Sequence, residues 1–141
     1  MSRLVFLLVC LVGLVCVQNA TSASPEDSIR EAAKARLEVA RQGLALVDRD
    51  LEGVGVVDYA DIWVWSERVL KAELAMSTKK SERIAALEAH LKRAVKLERF
   101  ALRDFNSGGI SRRIVLEAKY HCCDIELRLA EEKAKSESPR K

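Results

Sequence analysis

Residues 58–76, DYADIWVWSERVLKAELAM, carry the clearest structural signal in this 141-residue chain. Apolar side chains recur there at spacings of three and four residues, which is the pattern of an α-helix with a buried seam. The seam consists of Ile62, Trp65, Val69, Ala72 and Met76, and a second stripe beside it consists of Trp63, Leu70 and Leu74. Because two stripes make a wide apolar face, this helix is expected to need neighbours on two sides.

The same pattern returns on residues 111–129, at a constant shift of 53 residues. Both copies follow a Gly-containing loop that ends in a helix-capping residue, Asp58 in the first copy and Ser111 in the second. This agreement favours an internal repeat over a chance alignment of two helices. The second seam is Val115, Ala118, Cys122, Ile125 and Leu129, and its second stripe is Leu116, Tyr120, Cys123 and Leu127.

A further apolar seam precedes each of these segments, and the two preceding seams align with a shift of 54 residues. The alignment has one mismatch, because Leu44 meets Glu98. Good helix formers dominate both stretches, and proline is confined to Pro25 and Pro139. The first of these seams is Leu37, Ala40, Leu44, Val47 and Leu51, and the second is Ile84, Leu87, Leu91, Ala94, Val95, Ala101 and Phe105.

Capping residues and glycines predict where these helices begin and end. The first helix is expected to start at Pro25 behind a Ser24 cap and to end near Leu51, before the glycines of the first loop. The third is expected to follow a turn at residues 77–80, with Thr78 or Ser81 as its cap. The sequence Asn-Ser-Gly-Gly at residues 106–109 should end it.

The predicted fold class is therefore all-α, with two tandem αα-hairpins that form a four-helix antiparallel bundle or elongated coiled-coil hairpins. The helical domain is predicted to cover residues 24–132. Within it, repeat one covers about residues 30–76 and repeat two about residues 84–130. Residues 133–141 are strongly polar, so we expect a disordered tail there.

Residues 1–23 have the three-part layout of a secretory signal peptide. Arg3 gives a positive start, residues 4–17 form an apolar run, and small residues follow up to Ala23. The run is shorter than the ~20 residues that a membrane span needs. The mature chain is thus expected to be exported, to the periplasm or outside the cell. An uncleaved anchor, or a lipid attached at Cys16 or Cys10, is the alternative.

The mature chain carries nearly balanced charges. Without Arg3 it has 23 basic and 21 acidic residues, and they are interspersed, so no basic patch indicates a nucleic-acid partner. Only Cys122 and Cys123 remain after removal of the signal peptide, which is too few for a small secreted fold held by disulfides.

Metal binding is an alternative interpretation of residues 121–124, His-Cys-Cys-Asp, because zinc and copper accept these ligand types. Successive helix residues point about 100° apart, however, so four in a row do not converge on one ion. Cys122 and Cys123 are better interpreted as small buried residues. The sequence has no nucleophile–base arrangement and no nucleotide-binding glycine motif, so we expect neither an enzyme nor a bound metal or cofactor.

The two loop regions resemble the hairpin tips of TolC-like outer-membrane efflux proteins. The matching segments are LEGVGVVDYADIW at residues 51–63 and FNSGGISRRIVL at residues 105–116, and the resemblance covers about residues 30–132. It implies helical hairpins in the same compartment, with a helix-tip contact surface at Gly53, Gly55, Asp58, Gly108, Gly109 and Ser111. That family also has β-strands and far longer helices. This chain is therefore not expected to form an efflux channel by itself.

The leading functional hypothesis is an exported, non-enzymatic helical module for interaction or structure, which acts through coiled-coil contacts. Its partner would be a second copy of itself or an envelope complex of the efflux type, which includes association with the envelope or membrane. The alternative is a secreted helical bundle that binds lipid or a small ligand, because wide amphipathic faces can open onto lipid or enclose an apolar molecule.

Overall fold

The computed structural model describes residues 24–53 and 58–135. These residues form four α-helices, and neither range contains a β-strand, so the all-α prediction is confirmed. The predicted signal peptide and residues 136–141 of the predicted tail lie outside the described residues. The helices are α1 (Pro25–Glu52), α2 (Tyr59–Met76), α3 (Lys80–Asn106) and α4 (Arg112–Ala134).

The helices pack as two antiparallel hairpins. α1 lies along α2, α3 lies along α4, and contacts between α2 and α3 join the two hairpins. In the first hairpin, Arg41 forms an ion pair of 3.1 Å with Glu73 near the end of α2. α1 has 28 residues and α2 has 18, about 42 Å and 27 Å of helix. The first turns of α1, residues 24–32, accordingly extend past α2 and are exposed.

Two apolar clusters form the core. The first draws residues from all four helices next to the two Gly loops, which places both loops at one end of the bundle. The second lies farther along α2, α3 and α4, and Trp63 packs against both. The first cluster is Leu51, Tyr59, Ile62, Leu97, Ala101 and Ala118, and the second is Leu70, Ala86, Leu87, Ile125 and Leu129.

Side-chain caps start α1 and α2 as the sequence predicts. The Ser24 hydroxyl accepts the backbone N–H of Asp27 at 3.1 Å. The Asp58 carboxylate accepts two backbone N–H groups in the first turn of α2, at 2.9 and 3.3 Å. These contacts satisfy donors that have no partner inside the helix.

The predicted cap of α3 is wrong, because neither Thr78 nor Ser81 caps the helix, which starts at Lys80. Instead, the Glu82 carboxylate turns back and accepts the backbone N–H groups of Thr78 and Lys79, at 2.9 and 3.2 Å. A carboxylate is a stronger acceptor than a hydroxyl, and its charge is favourable at a helix N-terminus.

The C-terminal end of α4 is tied back to the start of α3. α4 continues to Ala134, two residues past the predicted domain boundary. The Glu132 carboxylate is buried and accepts from Arg83 Nε at 2.5 Å. Lys80 Nζ donates to the backbone carbonyls of Lys133 and Lys135, which lack partners within the helix. In the described part of the chain, no helix combines the length and apolar character that a membrane crossing requires.

Candidate functional site

The first predicted tip lies between α1 and α2. Gly53 follows the last residue of α1, is exposed, and donates its backbone N–H to the carbonyl of Asp50 at 3.3 Å. Asp58 is exposed at the start of α2. Gly55 lies outside the described residues. The two tip residues that are described thus border the loop, with their polar groups used for helix capping.

The second predicted tip lies between α3 and α4, at the same end of the bundle. Gly108 has a φ of +78°, a left-handed conformation that favours glycine, and Gly109 donates its N–H to the carbonyl of Asp104 at 2.8 Å. Ser111 precedes α4 and makes no side-chain capping hydrogen bond, unlike the predicted cap. These tip residues are exposed, and their role as a contact surface stays a prediction.

The outer face of α4 carries an uncovered row of apolar residues that follows a regular helical period. Six residues at alternating spacings of four and three lie along it, and all are exposed. Leu116, Tyr120 and Leu127 expose 56%, 68% and 59% of their surface. We call this set the outer stripe, and it consists of Leu116, Tyr120, Cys123, Leu127, Ala130 and Ala134.

The opposite face of α4 is covered. Ala118, Cys122, Ile125 and Leu129 are buried against the bundle, as their seam predicts. The sequence also predicted a buried position for Cys123, and this is wrong, because Cys123 is exposed on the outer stripe. The two thiols therefore belong to different faces of one helix. Among residues 24–53 and 58–135, no group of three or more His, Cys, Asp or Glu side chains could hold a metal ion.

Cys122 and Cys123 are expected to differ in reactivity in a chain of residues 24–141. Burial raises the pKa of Cys122 to about 12, and the nearby Glu98 carboxylate adds to the effect. Because the thiolate is the reactive form, maleimide should label the exposed Cys123 rapidly. It should label Cys122 at a rate about tenfold lower, or lower still. Mass spectrometry of the folded chain checks this, with the urea-unfolded chain as the control. Two equally fast labels on the folded chain would contradict the burial of Cys122.

A polar cluster lies inside the bundle between α2 and α3. His90 is completely buried, and its Nδ1 lies 2.9 Å from the Oγ of Ser66. Arg93 Nε donates to the same oxygen at 2.9 Å, so the Ser66 hydroxyl is left to donate to Nδ1. Nε2 of His90 then carries the proton and lies 3.1 Å from the Glu67 carboxylate. These contacts join α2 to α3. Because Ser66 is buried and accepts a hydrogen bond from Arg93, its hydroxyl is not an accessible nucleophile.

Charged groups from three helices set the titration of this cluster. Two contacts lower the pKa of Glu67 to about 2. The hydrogen bond with His90 has the larger effect, and the charge of Arg128 on α4 has a smaller one. Burial lowers the pKa of His90 below its usual 6.5, and this outweighs the opposing effect of Glu67, while Arg93 adds to the lowering. The folded protein therefore holds Glu67 ionised and His90 neutral at neutral pH.

Stability is expected to fall as the pH is lowered from about 7 to about 5. An unfolded histidine takes up a proton near its ordinary pKa of 6.5, whereas folded His90 resists it, so acid favours the unfolded state. Glu67 adds a second loss between pH 4.5 and about pH 2. Urea unfolding at several pH values measures both. The His90→Gln variant should show a flatter dependence between pH 7 and 5 than the wild type.

His121→Gln is the matched control for that experiment, since burial also lowers the pKa of His121 but leaves this side chain partly exposed. We expect His121→Gln to flatten the pH dependence less than His90→Gln does. A wild-type stability that rises on acidification between pH 7 and 5 would contradict the neutral state of folded His90.

A cleft of about 500 Å³ opens between α2 and α4 near the loop end. Its lining is mainly apolar, with Trp63 and His121 stacked at a ring-centroid distance of 3.6 Å. Tyr59 also lines the cleft and donates its hydroxyl to Asp104 at 2.6 Å. Burial and this hydrogen bond raise the pKa of Tyr59, so it stays protonated. The lining also includes three charged residues, Asp58, Arg113 and Glu117. Its apolar share nevertheless suits the cleft to an apolar molecule.

The sequence interpretation missed two features of the packing. His90 and Ser66 occupy core positions, three or four residues from buried apolar neighbours on α3 and α2, and this spacing was a usable signal. Gly43 lies on the buried face of α1, where the ring of Trp65 covers it. A glycine inside a long helix, directly before the seam residue Leu44, was the corresponding signal.

Comparisons of the chain with protein-family models, with curated proteins and with solved structures found no match. The resemblance of the loop regions to TolC-like hairpin tips therefore stays a prediction from the sequence.

Proposed function

We propose that this protein is an exported, non-enzymatic helical module that binds a protein partner through the outer stripe of α4. The single observation that carries the proposal is that six residues in heptad spacing, from Leu116 to Ala134, lie uncovered on a helix whose other face is packed. Exposed contiguous apolar surface of this kind marks interaction sites in soluble proteins. The signal-peptide pattern of residues 1–23 supports the export part of the proposal.

The site favours a helix as the partner structure. Alternating spacings of four and three keep the stripe on one side of α4, which suits knobs-into-holes packing against another helix. An envelope assembly of the efflux type is one setting for such a contact, as the loop resemblance suggests. The tip residues Asp58 and Ser111 would then form a second contact region at the loop end.

Site-specific photo-crosslinking tests the proposal in the envelope or secreted fraction of the producing cells. A photoreactive residue at Leu116 or Leu127 should yield a protein adduct of discrete mass. Val95 and Leu46 are matched controls, because they are apolar and about half exposed but lie on α3 and α1. A chain that sediments as a compact monomer and forms no adduct at the stripe would contradict the proposal. Photoreactive residues at Asp58 and Ser111 test the tip contact separately.

The second candidate function is the binding of an apolar small molecule or lipid, and the cleft between α2 and α4 favours it. Ala60→Phe would place a ring at the lining of this cleft and should weaken binding of an apolar dye. Ala45→Phe, at an exposed position of α1, is the control. Dye binding that both variants leave unchanged, together with failure to float with liposomes, would contradict this function.

A further inference from the structure

We propose that the partner of the outer stripe is a second copy of this chain, bound in parallel so that two α4 helices form a coiled coil. The inference rests on the proposed function, since it names the occupant of the same surface. It depends on two properties of α4: the register of the exposed apolar residues and the charges on either side of them.

The register gives complete apolar layers between two identical helices. In a parallel coiled coil each stripe residue faces its counterpart, so the layers are Leu116, Tyr120, Cys123, Leu127, Ala130 and Ala134 of both chains. A leucine layer lies on each side of the central Tyr120 and Cys123 layers. The small Ala130 and Ala134 let the two helices approach closely at the C-terminal end.

The charges beside the stripe match in this orientation. Residues five apart on opposite flanks meet across a parallel pair. Arg112 therefore meets Glu117 of the second copy, and Lys119 meets Asp124 of the second copy. Symmetry makes each attraction occur twice, and all four side chains are exposed or partly exposed. Two like-charged pairs remain among residues 112–134: Glu126 meets Glu131 of the second copy beside the Ala130 layer, and Arg113 faces its counterpart at the first turn of α4.

The antiparallel orientation is less favourable. Its best register sets Leu116 against Leu127 of the second copy. The charged residues on one side of the stripe then meet residues from the same side of the second copy's stripe. Glu117 would then meet Asp124, and Arg112 would meet Lys133, which are both repulsive. Only Lys119 and Glu126 would attract. Charge complementarity thus selects the parallel pair, because juxtaposed like charges act against the wrong orientation.

A charge-swap experiment tests the pairing on the mature chain. Lys119→Glu and Asp124→Lys each turn the same two attractions into repulsions, so each variant alone should dimerise about tenfold more weakly than the wild type. When the two variants are mixed, the introduced carboxylate of one chain meets the introduced ammonium group of the other. The unchanged Lys119 and Asp124 side chains meet as in the wild type. The mixture should therefore form heterodimers in preference to either homodimer, as native mass spectrometry measures.

Thiol crosslinking reads the orientation directly. In a Cys123→Ser background, Leu127→Cys places its thiol beside its counterpart in a parallel pair. In the antiparallel register the two thiols are about eleven residues apart along the axis, roughly 16 Å. A short bismaleimide should therefore link Leu127→Cys chains into covalent dimers. Leu46→Cys, on the exposed surface of α1, is the control that should stay uncrosslinked.

The outcomes separate this inference from the proposed function. A wild-type chain that stays monomeric at high concentration would overturn self-pairing, and a mixture without heterodimer preference would overturn the parallel register. In either case, adducts of a different protein at Leu116 or Leu127 would leave the proposed function standing. A dimer that Leu116→Lys with Leu127→Lys leaves intact would show that the stripe is not its interface.

Discussion

Replacing Ile125 with alanine is expected to lower the free energy of unfolding by about 2–5 kcal/mol. Ile125 is completely buried in the cluster that joins α2, α3 and α4. Removing most of its side chain loses apolar burial and leaves a cavity that close-packed neighbours fill only in part. Urea unfolding followed by circular dichroism gives the change, and an unaltered m-value would show that the unfolded state is unaffected.

Leu127→Ala is the matched control for Ile125→Ala, since it lies two residues away on the same helix and exposes 59% of its surface. At concentrations low enough to keep the chain monomeric, it should change the free energy of unfolding by about 0.5 kcal/mol or less. Equal losses for the two variants would mean that both apolar stripes of α4 are packed within one chain. The assignment of Leu127 to an interaction surface would then be wrong.

Gly43→Ala is expected to lower the free energy of unfolding by about 1–2 kcal/mol, which is the overpacking cost of about 2–3 kcal/mol less the gain in helix propensity of about 1 kcal/mol. A Cβ atom at residue 43 would lie 2.3 to 2.6 Å from three atoms of the Trp65 ring, so the ring must leave its place. This overpacking cost should outweigh the gain of about 1 kcal/mol that alanine brings in a helix interior. The Trp65 ring also contacts Arg68, whose guanidinium carbon lies 4.3 Å from the ring centroid. Urea unfolding measures the loss of stability, and tryptophan fluorescence measures the displacement of the Trp65 ring.

Gly53→Ala is the control for the glycine experiment. A Cβ at residue 53 would meet only backbone oxygens, the nearest at 3.4 Å, and its φ of −92° suits any residue. This variant should therefore change stability by about 0.5 kcal/mol or less. If Gly43→Ala were instead as stable as the wild type or more so, the contact between α1 and Trp65 would not have the close packing described above.

The sequence predicts most of the helix boundaries because their signals are local. Ser24 and Asp58 cap helices through their own side chains, and Gly108 ends α3 in a left-handed conformation. The start of α3 was mispredicted, since several polar residues competed for the cap and Glu82 formed it from three residues downstream. Such competition is settled by geometry within a turn, which residue type alone does not specify.

The candidate site was less predictable. The sequence placed the apolar stripes of α4 correctly on two different faces, but it treated both as faces that need a neighbour. It assigned no role to His90 and Ser66, whose polar contact is made between different helices. Contacts of that kind depend on how two helices are rotated against each other, and no local pattern records this rotation.

The amino-acid sequence by itself determined the all-α class, the lengths of the four helices to within a few residues, and the residues that share a face on each one. The tertiary structure alone decided which apolar stripe of α4 is left uncovered: Leu127 and its stripe are exposed, whereas the seam that contains Ile125 is packed. Helical periodicity is a property of a single segment, so it fixes which side chains point together. Burial depends on which other helices pack against a face. Here α1 packs along α2, and the outer stripe of α4 is therefore left uncovered.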